Sequence, residues 1–228
     1  MFLNVNGIRL YYEKTGSGRP VLLLHGNSMS HKIFDVLTGQ LSDQYTVYAI
    51  DSRGHGKSSR VKQFNYVTMA EDMALFIKEL NLQGAALYGF SDGGIIGLLL
   101  AIRYPELLSR LMISGANLHP EGVKTVYTVI TRIVYLITRN RKFKLMLTQP
   151  DIKDEQLAGI TVPTLVLAGS KDMIREDHTR HIAEQIPGST LKILEGESHM
   201  SYVVHSKKMY SLIESFIAKD RDGVSPFR

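Results

Sequence analysis

The chain has 228 residues, no cysteine and no tryptophan, and 27 Lys and Arg against 22 Asp and Glu, a formal charge of +5. The absence of cysteine excludes disulfides, thiolate zinc sites, iron–sulfur clusters and a cysteine nucleophile. With 44% hydrophobic and 21% charged residues, the chain has the composition of a globular protein, and its length suits one large domain.

Residues 1–12 alternate and carry Asn4, Asn6 and Arg9, unlike the apolar core of a signal peptide. The longest apolar run, residues 95–102, is far short of the ~20 residues that span a bilayer. A cytoplasmic protein without a transmembrane segment is expected.

The predicted elements follow in chain order. Asn6-Gly7 separates two alternating runs, 2–5 and 8–14, and predicts a hairpin. Residues 21–24 form a continuous apolar run of strand length, as in a fully buried parallel strand. A helix is expected over 31–41, a strand over 45–50 and a Gly-rich loop over 51–59. Thr68-Met69-Ala70-Glu71 reads as a capping box opening a helix that runs to Leu80. Next come a strand over 85–90, a helix over 93–104 ended by Pro105, and a strand over 110–114.

The rhythm then changes. Residues 123–144 contain no Gly or Pro, and Val126, Ile130, Ile133 and Ile137 recur at helical spacing, so one long helix is expected. Its apolar face is expected to cover the core or line the pocket, with pairing to another subunit as the alternative. Alternation resumes with a strand over 164–168, a helix over 176–186, a strand over 190–194 and a helix over 201–217. The charged tail, 219–228, is expected to fray. Strand–helix alternation implies an α/β fold, a parallel sheet with helices on both faces. Residues 117–160 interrupt it as an insertion.

Gly89-Phe90-Ser91-Asp92-Gly93 fits G-x-S-x-G between a buried strand and an apolar helix, the setting of a nucleophile elbow. A serine hydroxyl needs a base, and the base needs an orienting group. Of eight histidines, only His199 lies in the loop directly after the last strand. Functional loops collect at the C-terminal ends of parallel strands, so His199 is the candidate base. Asp172 follows the strand over 164–168 and is the candidate orienting carboxylate. The strand before it ends in Ser114-Gly115-Ala116-Asn117, without a carboxylate. The backbone N–H groups of Asp92 and Asn27 are the candidate oxyanion donors, the latter from His25-Gly26-Asn27-Ser28. His178 and His181 are read as a solvated helix face rather than a metal site. No phosphate-loop pattern occurs, and no cofactor or metal is expected.

With these motifs in order, the chain resembles the α/β-hydrolase superfamily over nearly its whole length. The carrying segments are Leu24-His25-Gly26-Asn27, Asp51-Ser52-Arg53-Gly54-His55-Gly56-Lys57-Ser58, the Ser91 turn, Val162-Pro163-Thr164 into Asp172, and Gly196-Glu197-Ser198-His199. The resemblance implies an eight-stranded, mostly parallel sheet with a small helical cap, 117–160, inserted after the sixth strand into a core of 1–116 and 161–228. It also implies that the Asp51–Ser58 segment is scaffold. Ser91 sets the chain apart from the dehalogenases and epoxide hydrolases of this fold, which carry Asp at the elbow. A carboxylesterase-like serine hydrolase of small ester or acyl substrates is the expected activity. Thioesterase, carbon–carbon bond hydrolase, amidase or aminopeptidase and perhydrolase use the same residues. A slow-turnover sensor or regulator on this fold is the alternative of a different class.

The surplus charge is local. Residues 117–150 hold Lys124, Arg132, Arg139, Arg141, Lys142 and Lys144 against Glu121 alone, which accounts for the whole +5. The remainder is balanced, which argues against a general nucleic-acid surface. A solvated basic helix end is the plain reading; the functional one is attraction of an anionic substrate, or weak peripheral contact of a basic cap with an anionic membrane.

Overall fold

The computed structural model describes residues 1–218. The expected fraying of residues 219–228 lies outside the described residues. Eight strands form one sheet in the order β1-β2-β4-β3-β5-β6-β7-β8. β1 (Phe2–Val5) and β2 (Ile8–Thr15) are an antiparallel hairpin, closed at Asn6 and Gly7 with φ of 46° and 72°. Positive φ at both positions is what a tight hairpin turn requires. β2 also runs antiparallel to β4 (Tyr45–Asp51). The other pairs are parallel: β3 (Arg19–Leu24), β4, β5 (Ala85–Phe90), β6 (Leu108–Ser114), β7 (Thr164–Lys171) and β8 (Thr190–Ser198).

The continuous apolar runs are buried on both faces, as parallel strands between helical layers must be. Along β3, Leu22 and Leu24 join the hydrophobic cluster under α2 (Tyr66–Glu79) and α3 (Asp92–Arg103), while Val21 and Leu23 join the opposite cluster. That second cluster lies under α1 (Asp35–Leu41) and α8 (Tyr210–Ala218). Between β6 and β7 the chain forms α4 (Thr125–Thr138), α5 (Arg141–Thr148) and the short α6 (Asp154–Ala158). α7 (Glu176–Gln185) joins β7 to β8.

Four expectations change. The helix over 123–144 is two helices, because Arg139 adopts the left-handed conformation (φ 52°, ψ 20°) and Asn140 starts a new helix by accepting the Lys142 N–H. α2 begins two residues ahead of the expected capping box. Asn65 Oδ1 accepts the Val67 and Thr68 N–H groups and so serves as its N-cap. α8 begins at Tyr210 rather than Ser201, because the preceding segment folds inward as turns that bury Tyr202 and Val203. Finally, no residue of α4 is buried, so its apolar face covers neither core nor pocket.

Candidate active site

Three loops meet at the C-terminal edge of the sheet, beside the point where strand order reverses around β3. Crevices form at such points. β5 turns into α3 so tightly that side chains are excluded from both glycines flanking Ser91. A Cβ on Gly89 would lie 2.2 Å from the Gly93 carbonyl oxygen, and one on Gly93 would lie 2.1 Å from that of Leu24. Ser91 sits at the apex with φ 55° and ψ −117°, and its N–H donates to the Ser114 carbonyl at 2.8 Å. The turn thereby lifts the hydroxyl clear of the strand.

The structure brings Ser91, His199 and Asp172 together. His199 Nε2 lies 3.1 Å from Ser91 Oγ, and His199 Nδ1 lies 2.6 Å from Asp172 Oδ1. In the neutral ring with its proton on Nδ1, that proton is donated to the carboxylate and Nε2 is left to accept from the serine. Asp172 is buried, and its Oδ1 also accepts the Ile174 N–H at 2.9 Å. The Lys124 ammonium donates to the Asp172 carbonyl, which ties the start of the β6–β7 insertion to this loop.

The two candidate oxyanion donors flank Ser91. Asp92 follows it as the first residue of α3, and Asn27 lies in the turn after β3. Their side chains are bonded to each other: Asn27 Nδ2 donates to Asp92 Oδ2 at 2.9 Å and to the Lys142 carbonyl at 3.3 Å. The Tyr66 hydroxyl donates to Asp92 Oδ1 at 2.7 Å. Burial pushes the Asp92 carboxyl up to about 6, against the pull of the Tyr66 and Asn27 hydrogen bonds. α5 therefore sits on the loop after β3 through the Lys142 carbonyl, and burial lowers the Lys142 ammonium.

Beneath lies a rigid polar floor. His25 Nδ1 donates to the Gly26 carbonyl at 2.8 Å, and its Nε2 accepts the Ser52 N–H at 3.1 Å. Burial lowers His25 to about 4, so it is neutral at ordinary pH. Asp51 accepts the His31 N–H, the His31 ring Nδ1–H and the Lys57 N–H, which locks the following loop in place. None of these side chains hydrogen-bonds to Ser91 or His199 among the described residues.

Two contributors to the site, Gly115 and Phe90, and the burial of one further histidine escaped the sequence reading. Gly115 (φ 60°) packs its bare Cα against the His199 ring and Asp172. Phe90 lies with its ring centroid 4.8 Å from that of His199. His178, expected on a solvated face, is buried instead. Its Nε2 accepts the Leu118 N–H at 3.0 Å, and burial lowers it to about 4. A glycine directly after the strand over 110–114 is the signal in the sequence that could have pointed to Gly115.

Sequence comparison agrees with the fold. A family model for the alpha/beta hydrolase fold matches residues 19–136. The chain belongs to the α/β-hydrolase family. This α/β hydrolase is 27% identical to the AB hydrolase superfamily protein YisY of Bacillus subtilis, over 92% of this chain and 95% of that protein. It is 28% identical to the serine hydrolase BPHL of Homo sapiens, over 93% of this chain and 84% of that one. Among solved structures, the esterase EaEST of Exiguobacterium antarcticum superposes with a TM-score of 0.82, covering 96% of this chain and 98% of that chain at 23% identity. The α/β hydrolase thus shares its fold with esterases, and among the described residues no helix is long and apolar enough to cross a membrane.

Proposed function

We propose that this α/β hydrolase is a serine esterase of the carboxylesterase kind, acting on small ester or related acyl substrates. The observation that carries the reading is the continuous hydrogen-bonded line from Ser91 Oγ through His199 to Asp172, with steps of 3.1 and 2.6 Å. The names of two similar proteins, a serine hydrolase and an esterase, point the same way.

In this reading Ser91 Oγ attacks the acyl carbonyl carbon while His199 Nε2 takes the hydroxyl proton. Asp172 holds the ring in the tautomer that leaves Nε2 free and stabilises the imidazolium that forms. The carbonyl oxygen becomes an oxyanion facing the Asn27 and Asp92 N–H groups. The tetrahedral species collapses, and the alcohol leaves with the proton from His199. A water, deprotonated by His199, then attacks the acyl-enzyme and releases the acid. The residues 117–160 act as a small cap over a core formed by the rest of the chain.

A fluorophosphonate probe should label Ser91 and nothing in Ser91→Ala. Turnover of p-nitrophenyl acetate should fall at least on the order of 10³-fold in that variant. Equal turnover by both proteins would refute the assignment.

A further inference from the structure

α4 is an amphipathic helix mounted the wrong way round. Six of its apolar residues, Val126, Val129, Ile130, Ile133, Leu136 and Ile137, are each between 50% and 77% exposed. At 3.6 residues per turn they fall within about 120° of the helix circumference. The half-buried side, carrying Thr128, Thr131, Val134 and Tyr135, is the more polar one. A solvated helix normally presents its apolar stripe to the core. An unbroken exposed stripe of this kind marks an interaction surface.

The surroundings of the stripe say what covers it. Arg132 borders one edge of the stripe on the helical projection, and Arg139 caps the C-terminal end of the helix. At the C-terminal end of α4, beside Tyr135 and Arg139, opens a cleft of about 760 Å³, lined also by Lys62, Arg141 and Lys144. Among the described residues none of these five cations pairs with a carboxylate. Arg141 is held in place through its Nη1 donating to the Lys62 carbonyl. None of Ser91, His199 and Asp172 lines the cleft. A second copy of the chain is a poor partner, because the 117–150 segment of each would bring its +5 against the other. An anionic amphiphile satisfies both halves, with acyl chains against the stripe and phosphates against the cations.

We propose that α4 and the basic cleft beside it form a docking surface for an anionic phospholipid bilayer. α4 lies in the interface with Ile133 and Ile137 inserted, and Arg132, Arg139, Arg141 and Lys144 reach the phosphates at the same level. The contact is peripheral, and it does not depend on the hydrolase reading.

The test is co-flotation of the full chain with vesicles of phosphatidylcholine alone and of phosphatidylcholine with phosphatidylglycerol at about 3:1. Binding to the anionic vesicles should exceed binding to the neutral ones by about tenfold or more, and should weaken as salt is raised. Arg139→Gln with Lys144→Gln should weaken it by about fivefold for each cation lost. The triple variant Ile133→Ser, Leu136→Ser, Ile137→Ser should lose at least about tenfold while keeping its thermal midpoint, since the three residues are exposed. Ser91→Ala should float like the wild type, which separates this inference from the catalytic one. Absent binding, or equal binding to both vesicles, would overturn the proposal. So would a dimer in light scattering that the triple variant dissolves, because a second copy would then be the occupant.

Discussion

The ring of His199 fills the space a side chain on Gly115 would need: a Cβ there would lie 2.7 Å from His199 Cε1 and 2.9 Å from Nδ1. The ring cannot retreat freely, because Asp172 holds Nδ1 at 2.6 Å and Phe90 packs against it. Gly115→Ala should therefore swing Nε2 away from Ser91. Misplacing a catalytic group by about 1 Å costs on the order of 10²-fold, and a loss of that order in kcat is expected. The φ of 60° adds a backbone penalty of about 1 kcal/mol for any residue with a Cβ. Steady-state kinetics with p-nitrophenyl acetate, beside a urea melt, separates the two effects. Unchanged kcat in a destabilised variant would mean that the contact is only packing.

Ser91 stores strain that glycine would release. Its φ of 55° with ψ of −117° lies outside the left-handed helical well, in a region open in practice only to glycine. Comparing Ser91→Gly with Ser91→Ala isolates this, because both lack the hydroxyl and only alanine keeps the Cβ. The glycine variant should be the more stable by about 1–3 kcal/mol in urea unfolding. Alanine equal to or above glycine would place the strain elsewhere.

Burial and local pattern make part of this fold legible in the sequence, and partners distant in the chain hide the rest. The strands of the sheet were legible because burial on both faces forces continuous apolar runs such as 21–24 and 85–90. Ser91 and Asp172 could be singled out because each directly follows such a strand, and His199 because it follows the last strand, β8, at the sheet edge. The break at Arg139 was hidden, since the left-handed residue that ends a helix is usually glycine or asparagine and here is arginine. The burial of His178 depends on Leu118, 60 residues away in sequence, offering an N–H. Local pattern carries no information about such a partner. For α4, periodicity revealed a stripe but not its direction, because direction is fixed by which neighbours the helix meets.

The Asp92 carboxyl should make stability depend on pH. Its pKa in the folded protein is pushed from the ordinary range near 4 up to about 6, chiefly by burial. Well below pH 4 the group is protonated in both folded and unfolded chains and costs nothing. As pH rises through 4 to 6, the unfolded chain ionises first, so the folded state loses stability, by about 2–3 kcal/mol in all once both are ionised. In Asp92→Asn the amide oxygen still accepts from Tyr66, but its NH₂ meets the Asn27 NH₂, so one hydrogen bond is lost at every pH. That loss is a constant offset. The stability of wild type relative to the variant should therefore fall by about 2–3 kcal/mol between pH 4 and pH 7.5, read from urea midpoints at the two values. A pH-independent difference would mean that the carboxyl titrates alike in the folded and unfolded chains.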